Sequence, residues 1–256
     1  MATLRFAPWP HDLLIVMDRR RRAVLIPAEL TGNPRPSCYR SRVTTIPVQP
    51  RPVLRGVSHL VAVILALPAL GVLLMAASSP RGYVSGAIFG AGLILLFGVS
   101  AAYHLLPWRS AKAVLKRADH ATIFVFIAAT YTPFCLMLLG DAWGVPLLIV
   151  VWCLATLGAV LKVLWPDLPR RLGVGLYLGL GWMGVVAGWP FAQHAPEVLP
   201  GLAAAGLLFS LGGVVYALRR PNPFPLVFGY HEVFHLLVIA GVAVNYGLIA
   251  GFVLPR

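Results

Sequence analysis

The first apolar run of the chain covers residues 53–76 and reads VLRGVSHLVAVILALPALGVLLMA. A helix needs about 20 mostly apolar residues to cross a hydrocarbon core of about 30 Å. This run is long enough, and six more runs of the same kind follow. The chain is therefore predicted to be an all-α membrane protein, a bundle of seven transmembrane helices. The six further spans are predicted at residues 83–106, 119–139, 144–164, 172–191, 201–218 and 226–252.

Composition excludes a soluble globular protein. Hydrophobic residues make up 59% of the 256 positions and charged residues only 11%, and the mean hydropathy is +0.83. Soluble domains carry about a quarter charged residues. The net charge of +13 would favour nucleic acid as the partner of a soluble protein. Here the basic residues lie between apolar runs, as in membrane proteins, so no nucleic-acid partner is expected.

The distribution of basic residues predicts the orientation. Nineteen of the 21 Lys and Arg residues lie in the N-terminal segment up to Arg55, or in and beside the second, fourth and sixth loops. Only Arg81 and Arg256 fall on the other side. Because cytoplasmic loops are enriched in Lys and Arg, the N-terminus is predicted to be cytoplasmic and the C-terminus outside. The simple topology, without a eukaryotic targeting signal, favours the inner membrane of a bacterium.

Residues 1–52 differ from the seven-helix domain at 53–252. They contain the run Arg19 to Arg22, several prolines and little helical periodicity. Such a segment is expected to be a flexible basic tail. It is either dispensable or a binder of anionic lipid.

Ionisable side chains inside membrane spans are costly unless they are paired or bind a ligand, so they mark functional sites. With the predicted topology, all of those found here lie near the cytoplasmic ends of their helices. The sequence therefore predicts one polar site near the cytoplasmic face. The residues are His59 in span one, His104 in span two, Asp119 and His120 at the start of span three, and His231, Glu232 and His235 in span seven.

Spacing within two of these spans predicts a metal site. His231 and His235 are four residues apart, so both side chains lie on one helix face about 6 Å apart along the axis. Together with His104 they form a set of three imidazoles, which with a water complete a tetrahedral zinc site with an open position. Asp119 would orient the water and take its proton. Ser100, four residues before His104, would support the ligands or contact the substrate.

Each of these residues also has a plainer interpretation. A lone histidine such as His59 or His120 can simply satisfy a neighbour's hydrogen bond. Asp119 can cap the start of span three, where a carboxylate is favourable. Residues 231–235 also match the H-E-x-x-H pattern of metalloproteases, in which the Glu is the general base. No LDG-like segment supplies a further ligand for such a protease, and Glu232 could instead pair with an Arg or Lys at the interface.

Three motifs in combination resemble the hemolysin III family, which belongs with the progestin and adipoQ receptors and more remotely with the alkaline ceramidases. The resemblance covers about residues 53–252. The motifs read SAAYHLLPW at 100–108, RADHATIF at 117–124 followed by TYTPF at 130–134, and HEVFHL at 231–236.

The resemblance implies a zinc site and a lipid-directed activity. In the receptor branch, zinc is held by positions that correspond to His104, His231 and His235. The Asp of span three, here Asp119, engages the zinc water, and Ser100 lies beside it. The family's proposed activity is hydrolysis of amide bonds in lipids such as ceramides.

The sequence departs from the family pattern at two places. Arg51 and Arg55 stand near the positions where span one of the family usually carries a Glu and an Asn, ahead of the pair Ser58-His59. Asn245-Tyr246 stands near the end of span seven, where a His-aromatic pair is common. Neither change touches the expected zinc ligands.

The leading hypothesis is a zinc-dependent hydrolase that cleaves an amide or ester bond in a membrane lipid, with Asp119 and Ser100 as the catalytic residues. The lipid would enter from the inner leaflet or the membrane plane. A second hypothesis is a receptor or membrane-response protein in which zinc ties spans two and seven together without turnover. A cytolysin, as the family name suggests, is the third, and a protease is the last.

Overall fold

The computed structural model describes residues 13–17, 23–27, 54–108, 110–224 and 227–256 of the chain. The chain divides into two compact units, Met1–Pro50 and Arg51–Arg256.

The first unit contains a β-hairpin. Strand β1 (Leu13–Met17) pairs antiparallel with strand β2 (Ala23–Pro27). Leu13 lies opposite Pro27, and Met17 lies opposite Ala23. Both strands are apolar and contain Val and Ile, a composition that favours extended structure. The hairpin falls within the predicted basic tail, whose other residues lie outside the described part of the chain, and the tail's flexibility stays a prediction.

Four long helices form the first half of the second unit. The Ser79 hydroxyl caps the second helix by accepting a hydrogen bond from the Gly82 backbone N–H at 3.2 Å, an arrangement typical of helix starts. Gly140 (φ 66°) connects the third and fourth helices in a left-handed conformation that glycine adopts without strain. The helices are α1 (Leu54–Ala76), α2 (Pro80–Leu105), α3 (Lys112–Leu138) and α4 (Gly140–Leu164).

The last three spans are less regular. The fifth span, Arg170–His194, contains α5 (Arg170–Gly181), a 3-10 helix (Trp182–Ala187) and α6 (Gly188–His194). The sixth span, Pro196–Leu218, begins with a short 3-10 turn and continues as α7 (Leu199–Leu218). The seventh, Tyr230–Val253, consists of α8 (Tyr230–Leu248) and a π-helical end (Ile249–Val253).

The helices pack as a ring. Around the ring, α1 contacts α2, α2 contacts α3, α3 contacts α5, α5 contacts α7, α7 contacts α8, and α8 contacts α1. The remaining helix, α4, packs on α3 and α5. Small residues allow two of these approaches: Gly90 of α2 faces Leu70 of α1, and Gly158 of α4 lies against the ring of Phe124. A side chain at either glycine would displace its neighbour, so close helix contact depends on their absence.

The outer surface of the bundle is apolar. Met75 is 80% exposed, and the side chains of Ile64 and Leu65 also point away from the protein. The interior is filled by larger apolar groups such as Phe89 and Phe124. Among the described residues, seven helices are long and apolar enough to cross a membrane. This confirms the predicted seven-helix membrane bundle, whereas the orientation of its termini stays a prediction.

The largest difference between a predicted and an observed helix boundary is at the start of span three. α3 begins at Lys112, seven residues before the predicted start at 119. Its first turns are basic, and Lys is a good helix former whose long stem can reach toward the interface. The helix therefore extends beyond the apolar run that marks the membrane. α8 begins at Tyr230 rather than 226.

Candidate metal centre

Three histidines from two distant helices converge. His104 lies in the last turn of α2, and His231 and His235 lie in the first two turns of α8. One ring nitrogen from each lies within 4.8 Å of the others. The ring centroids are 5.1 Å apart for His104 and His231, 5.2 Å for His104 and His235, and 4.6 Å for His231 and His235. The structure thus brings together the three predicted ligands.

The donor set fits a zinc ion. Zinc binds imidazole nitrogen at about 2.1 Å in tetrahedral geometry, so its ligand nitrogens lie about 3.4 Å apart. The three ring nitrogens lie within 4.8 Å of one another, which is somewhat wider than that spacing. Three nitrogens with no carboxylate among them suit zinc, although other transition metals also bind imidazole.

The orientation of His235 is held by a backbone group. Its Nδ1 lies 3.0 Å from the carbonyl oxygen of Arg55 in α1. A carbonyl can only accept, so Nδ1 carries the proton and Nε2 is left with a lone pair for a metal. Metal-binding histidines commonly donate their second ring N–H to such a group, which fixes the tautomer.

Glu232 takes part in the contacts that hold α8 in place and does not line the cavity. Its side chain is 2% exposed and accepts a 2.5 Å hydrogen bond from Nε of Arg55. Its second carboxylate oxygen accepts from the backbone N–H of Gly229 at 2.8 Å, which caps α8. Both oxygens are therefore engaged, as expected for an interfacial ion pair. The metalloprotease interpretation, which needs Glu232 as a base, loses its geometric support.

Ser100 and Asp119 lie in a common cavity with two of the histidines. The cavity has a volume of about 770 Å³, and its wall includes Ser100, Asp119, His231 and His235. Ser100 is buried, and its hydroxyl lies close enough to the Asp119 carboxyl to interact with it. Asp119 is the eighth residue of α3 and lies in its third turn, not at the helix start, because that helix begins at Lys112. The interpretation of Asp119 as a helix cap is therefore wrong.

His59 and His120 line the cavity as well. His59 is 4% exposed and stacks on His235 with ring centroids 3.9 Å apart and planes 13° from parallel. Within the described part of the chain, neither ring nitrogen of His59 has a hydrogen-bond partner. The ring of His59 therefore forms no hydrogen bond with a described protein group, and it stacks on the candidate ligand His235.

The remainder of the cavity wall is mostly apolar. It continues between the helices as far as Asn245, ten residues beyond His235 on α8. A volume of about 770 Å³ and an apolar wall with a few polar groups are typical of sites for small organic ligands. Representative apolar wall residues are Ile123, Phe126, Phe134, Phe209, Phe234 and Val238.

Sequence reasoning did not foresee several residues of this region. In the sequence, Arg55 stands out as the last basic residue of the N-terminal segment and as a departure from the family pattern, whereas in the structure it contacts both Glu232 and His235. Lys162 was counted with the fourth loop, but it lies within α4 and is 6% exposed. A charged residue inside an apolar run is a signal that could have identified Lys162. Arg55 is separated from Glu232 by 177 positions and from His235 by 180 positions along the chain. Contacts over such distances leave no local pattern in the sequence.

Comparison with known proteins shows the family. The profile of the family described as haemolysin-III related matches residues 48–246. The chain belongs to this family. It is 33% identical over 195 residues to the hemolysin-3 homolog of Bacillus subtilis, which covers 75% of this chain and 89% of that protein.

More distant family relatives are also similar to this chain. Hemolysin-3 of Bacillus cereus is 29% identical over 207 residues, covering 79% of this chain and 92% of that protein. The adiponectin receptor protein of Drosophila melanogaster is 30% identical over 183 residues, covering 62% of this chain and 41% of that protein. The seven apolar helices and these relatives identify a multi-pass cell-membrane protein of the haemolysin-III related family.

Proposed function

We propose that this family member binds zinc through His104, His231 and His235 and hydrolyses an amide or ester bond in a membrane lipid. One observation carries the proposal. The convergent histidines lie beside a cavity of about 770 Å³ whose wall also holds Ser100 and Asp119. Three neutral nitrogen ligands leave one zinc position open, as catalytic sites require.

When bound, zinc would supply an activated water and a Lewis acid that polarises a carbonyl group. Asp119 would orient that water and hold the proton that it gives up, which makes Asp119 the general base of the proposal. Ser100 would position Asp119 through a hydrogen bond between them. A base must lie within hydrogen-bonding reach of the proton that it takes, and the shared cavity wall supports this placement.

The chain's contribution to zinc binding would extend to α1. The Arg55 carbonyl keeps the proton on Nδ1 of His235, and the Arg55 guanidinium neutralises Glu232, the residue that follows His231. These contacts would hold the first two turns of α8 in place before a metal binds. Such supporting contacts commonly tune metal affinity.

A lipid would enter through the membrane-facing side of the bundle. The apolar cavity wall suits an acyl chain, and a lipid bound in this way would have its scissile bond at the polar end, near the histidines. With the predicted cytoplasmic N-terminus, this polar end would face the inner leaflet.

The test separates metal binding from turnover. Purified wild type and Asp119→Asn are compared for zinc content by elemental analysis and for release of fatty acid from acyl-labelled ceramide and ester lipids. We expect about one zinc per chain in both proteins and a loss of turnover of at least about a thousandfold in the variant, since it removes the base. Unchanged turnover in Asp119→Asn would exclude Asp119 as the base, and wild type without zinc would overturn the proposal.

A second candidate function is a receptor or membrane-response protein that zinc stabilises without turnover. It is favoured by the position of the ligands, since a metal held by α2 and α8 would tie together helices far apart in the chain. In that case chelation would lower the unfolding temperature, and no lipid in the screen would be cleaved. A cytolysin, suggested by the name of the Bacillus cereus relative, would instead release dye from vesicles.

A further inference from the structure

The polar end of the cavity carries four cations that the proposed hydrolysis does not use. Lys116 of α3, Lys162 of α4, Arg170 of α5 and Arg219 at the end of α7 all line the cavity. We refer to these four residues as the basic cluster. Lys162 and His120 each lie close enough to Lys116 for their charges to interact, and His120 lies similarly close to Arg170.

In the part of the chain that the structure describes, no member of the basic cluster forms an ion pair with a carboxylate. Among the described residues, the ion pairs are Arg55–Glu232, Arg81–Asp141 and Arg256–Glu197. None of them includes a member of the cluster. Asp167 also lines this end of the cavity and attracts Lys162, but it is exposed and does not form an ion pair with it. Asp119 lines the same cavity and likewise forms no ion pair with the cluster among the described residues. Four cations therefore face one cavity that holds two carboxyl groups.

Lys162 makes the imbalance costly. It is 6% exposed, and its Nζ lies 3.4 Å from the position that a Cβ at residue 173 would occupy, so the absence of a side chain at Gly173 makes room for it. Burying an ammonium group without a counter-charge is unfavourable. An anion in the cavity would remove that cost.

Arg170 is already oriented for an anion. Its guanidinium stacks over the ring of Tyr216 at 4.7 Å and over that of Tyr230 at 5.7 Å. Nη1 donates to the Tyr216 carbonyl and to the Tyr230 hydroxyl, both at 3.3 Å. In the described part of the chain, Nε and Nη2 have no partner, and a stacked guanidinium presents such in-plane donors as a fork that matches phosphate oxygens.

The basic cluster is close to the candidate metal centre. The ring of Tyr216, which lies under Arg170, is 5.6 Å from the ring of His231. Arg170 also begins α5, whose first turn has no side-chain cap, so the positive end of the helix dipole adds to the same field. An anionic group bound to Arg170 would be separated from His231 by the ring of Tyr216.

We propose that the basic cluster binds the phosphate group of an anionic lipid whose acyl chain occupies the apolar part of the cavity. The juxtaposition of charge and apolar wall matches an amphiphile with both parts. Only the further statement that this lipid is the substrate rests on the proposed function. Binding itself requires neither zinc nor turnover.

Two adjacent pairs of residues provide a matched test. Lys116 and Arg170 line the cavity, whereas their neighbours Arg117 and Arg171 are exposed and do not. The inward double variant is Lys116→Gln/Arg170→Gln, and the outward double variant is Arg117→Gln/Arg171→Gln. Both remove two positive charges from the same end of the bundle, so general attraction to anionic surfaces falls equally.

The measurement is equilibrium binding to the full-length protein in neutral detergent. The probes are acyl-labelled lysophosphatidic acid and the uncharged monoacylglycerol with the same chain, with inorganic phosphate as a competitor. We expect the inward variant to bind lysophosphatidic acid about tenfold or more weakly, and the outward variant to stay within about twofold of wild type. Monoacylglycerol should bind weakly and equally to all three proteins.

Several outcomes would overturn the proposal. Equal losses in the two double variants would show that only surface charge attracts the lipid. Inorganic phosphate that binds as tightly as lysophosphatidic acid would make this a site for free phosphate instead. If the inward variant does not fold, Lys162→Met, which keeps the aliphatic stem, replaces it with the same expectation.

The proposed phosphate site and the proposed hydrolysis can be refuted independently of each other. The assay is repeated on Asp119→Asn, which retains the basic cluster. Tight binding of lysophosphatidic acid to a protein without zinc or turnover would overturn the proposed function alone. Hydrolysis of uncharged lipids by the wild type, together with equal affinity of the two double variants for lysophosphatidic acid, would overturn the phosphate site alone.

Discussion

The two ends of the helical bundle carry charge in different ways. At the end that holds the histidines, Arg55 and Glu232 pair at 2.5 Å with side chains 26% and 2% exposed. At the opposite end, Arg81 and Asp141 pair at 2.8 Å with side chains 59% and 68% exposed. The first pair is largely buried, and the second is exposed.

At the histidine end, the buried polar groups support one another. Glu232 accepts from Gly229 and from Arg55, and the Arg55 carbonyl accepts from His235. Each of these interactions depends on its neighbour, because a buried polar group without a partner is costly. The exposed pair at the other end joins two helix starts and has no such dependents.

The largest effect should follow from removing candidate ligands. His231→Ala/His235→Ala is expected to reduce zinc from about one to less than about 0.1 per chain, since two of three protein ligands are lost. Elemental analysis of the purified protein measures this. The control is His194→Ala, which changes an exposed histidine outside the candidate site and should retain the metal. Equal zinc content in both variants would contradict the assignment of the site.

An intermediate effect is expected when the buried ion pair is broken. Arg55→Met leaves the Glu232 carboxylate buried without its partner and should lower the free energy of unfolding by about 3 kcal/mol. Denaturant titration in detergent measures the change. Adding Glu232→Gln should restore part of the loss, because the unpaired charge is then removed. A stable Arg55→Met protein would show that the two ends are equivalent after all.

The smallest effect is expected for the exposed ion pair. Arg81→Met should leave the denaturation midpoint unchanged within error, since exposed pairs contribute little and are screened by salt. The same titration, run beside Arg55→Met, makes the comparison direct. A loss as large as that of Arg55→Met would refute the contrast between the two ends.

The seven spans were predictable because a membrane helix is a local feature. A run of about 20 apolar residues identifies itself without reference to the rest of the chain. The ends of the helices were less predictable than the spans themselves. The additional turns at the start of α3 contain Lys112 and Lys116, residues that do not belong to an apolar run but continue the helix. The β-hairpin Leu13–Met17/Ala23–Pro27 was not predicted.

The candidate site was predictable in part for the same reason. The spacing of His231 and His235 is local, and so is that of Ser100 and His104. That the two pairs meet depended on the topology argument and the family resemblance. The pairing of Glu232 with Arg55, the stacking of His59 on His235 and the position of Lys162 in the cavity are contacts between distant segments. A sequence pattern alone does not encode them.

The amino-acid sequence by itself determined the membrane class, the number of spans and the chemical types of residue available at one end. It did so because hydrophobicity and helical periodicity are properties of neighbouring residues. Only the tertiary structure decided which polar residues share a cavity, which carboxylate is neutralised and which cations lack partners. Those outcomes depend on how the ring of helices closes when α8 packs against α1, and burial then makes each unpaired charge expensive.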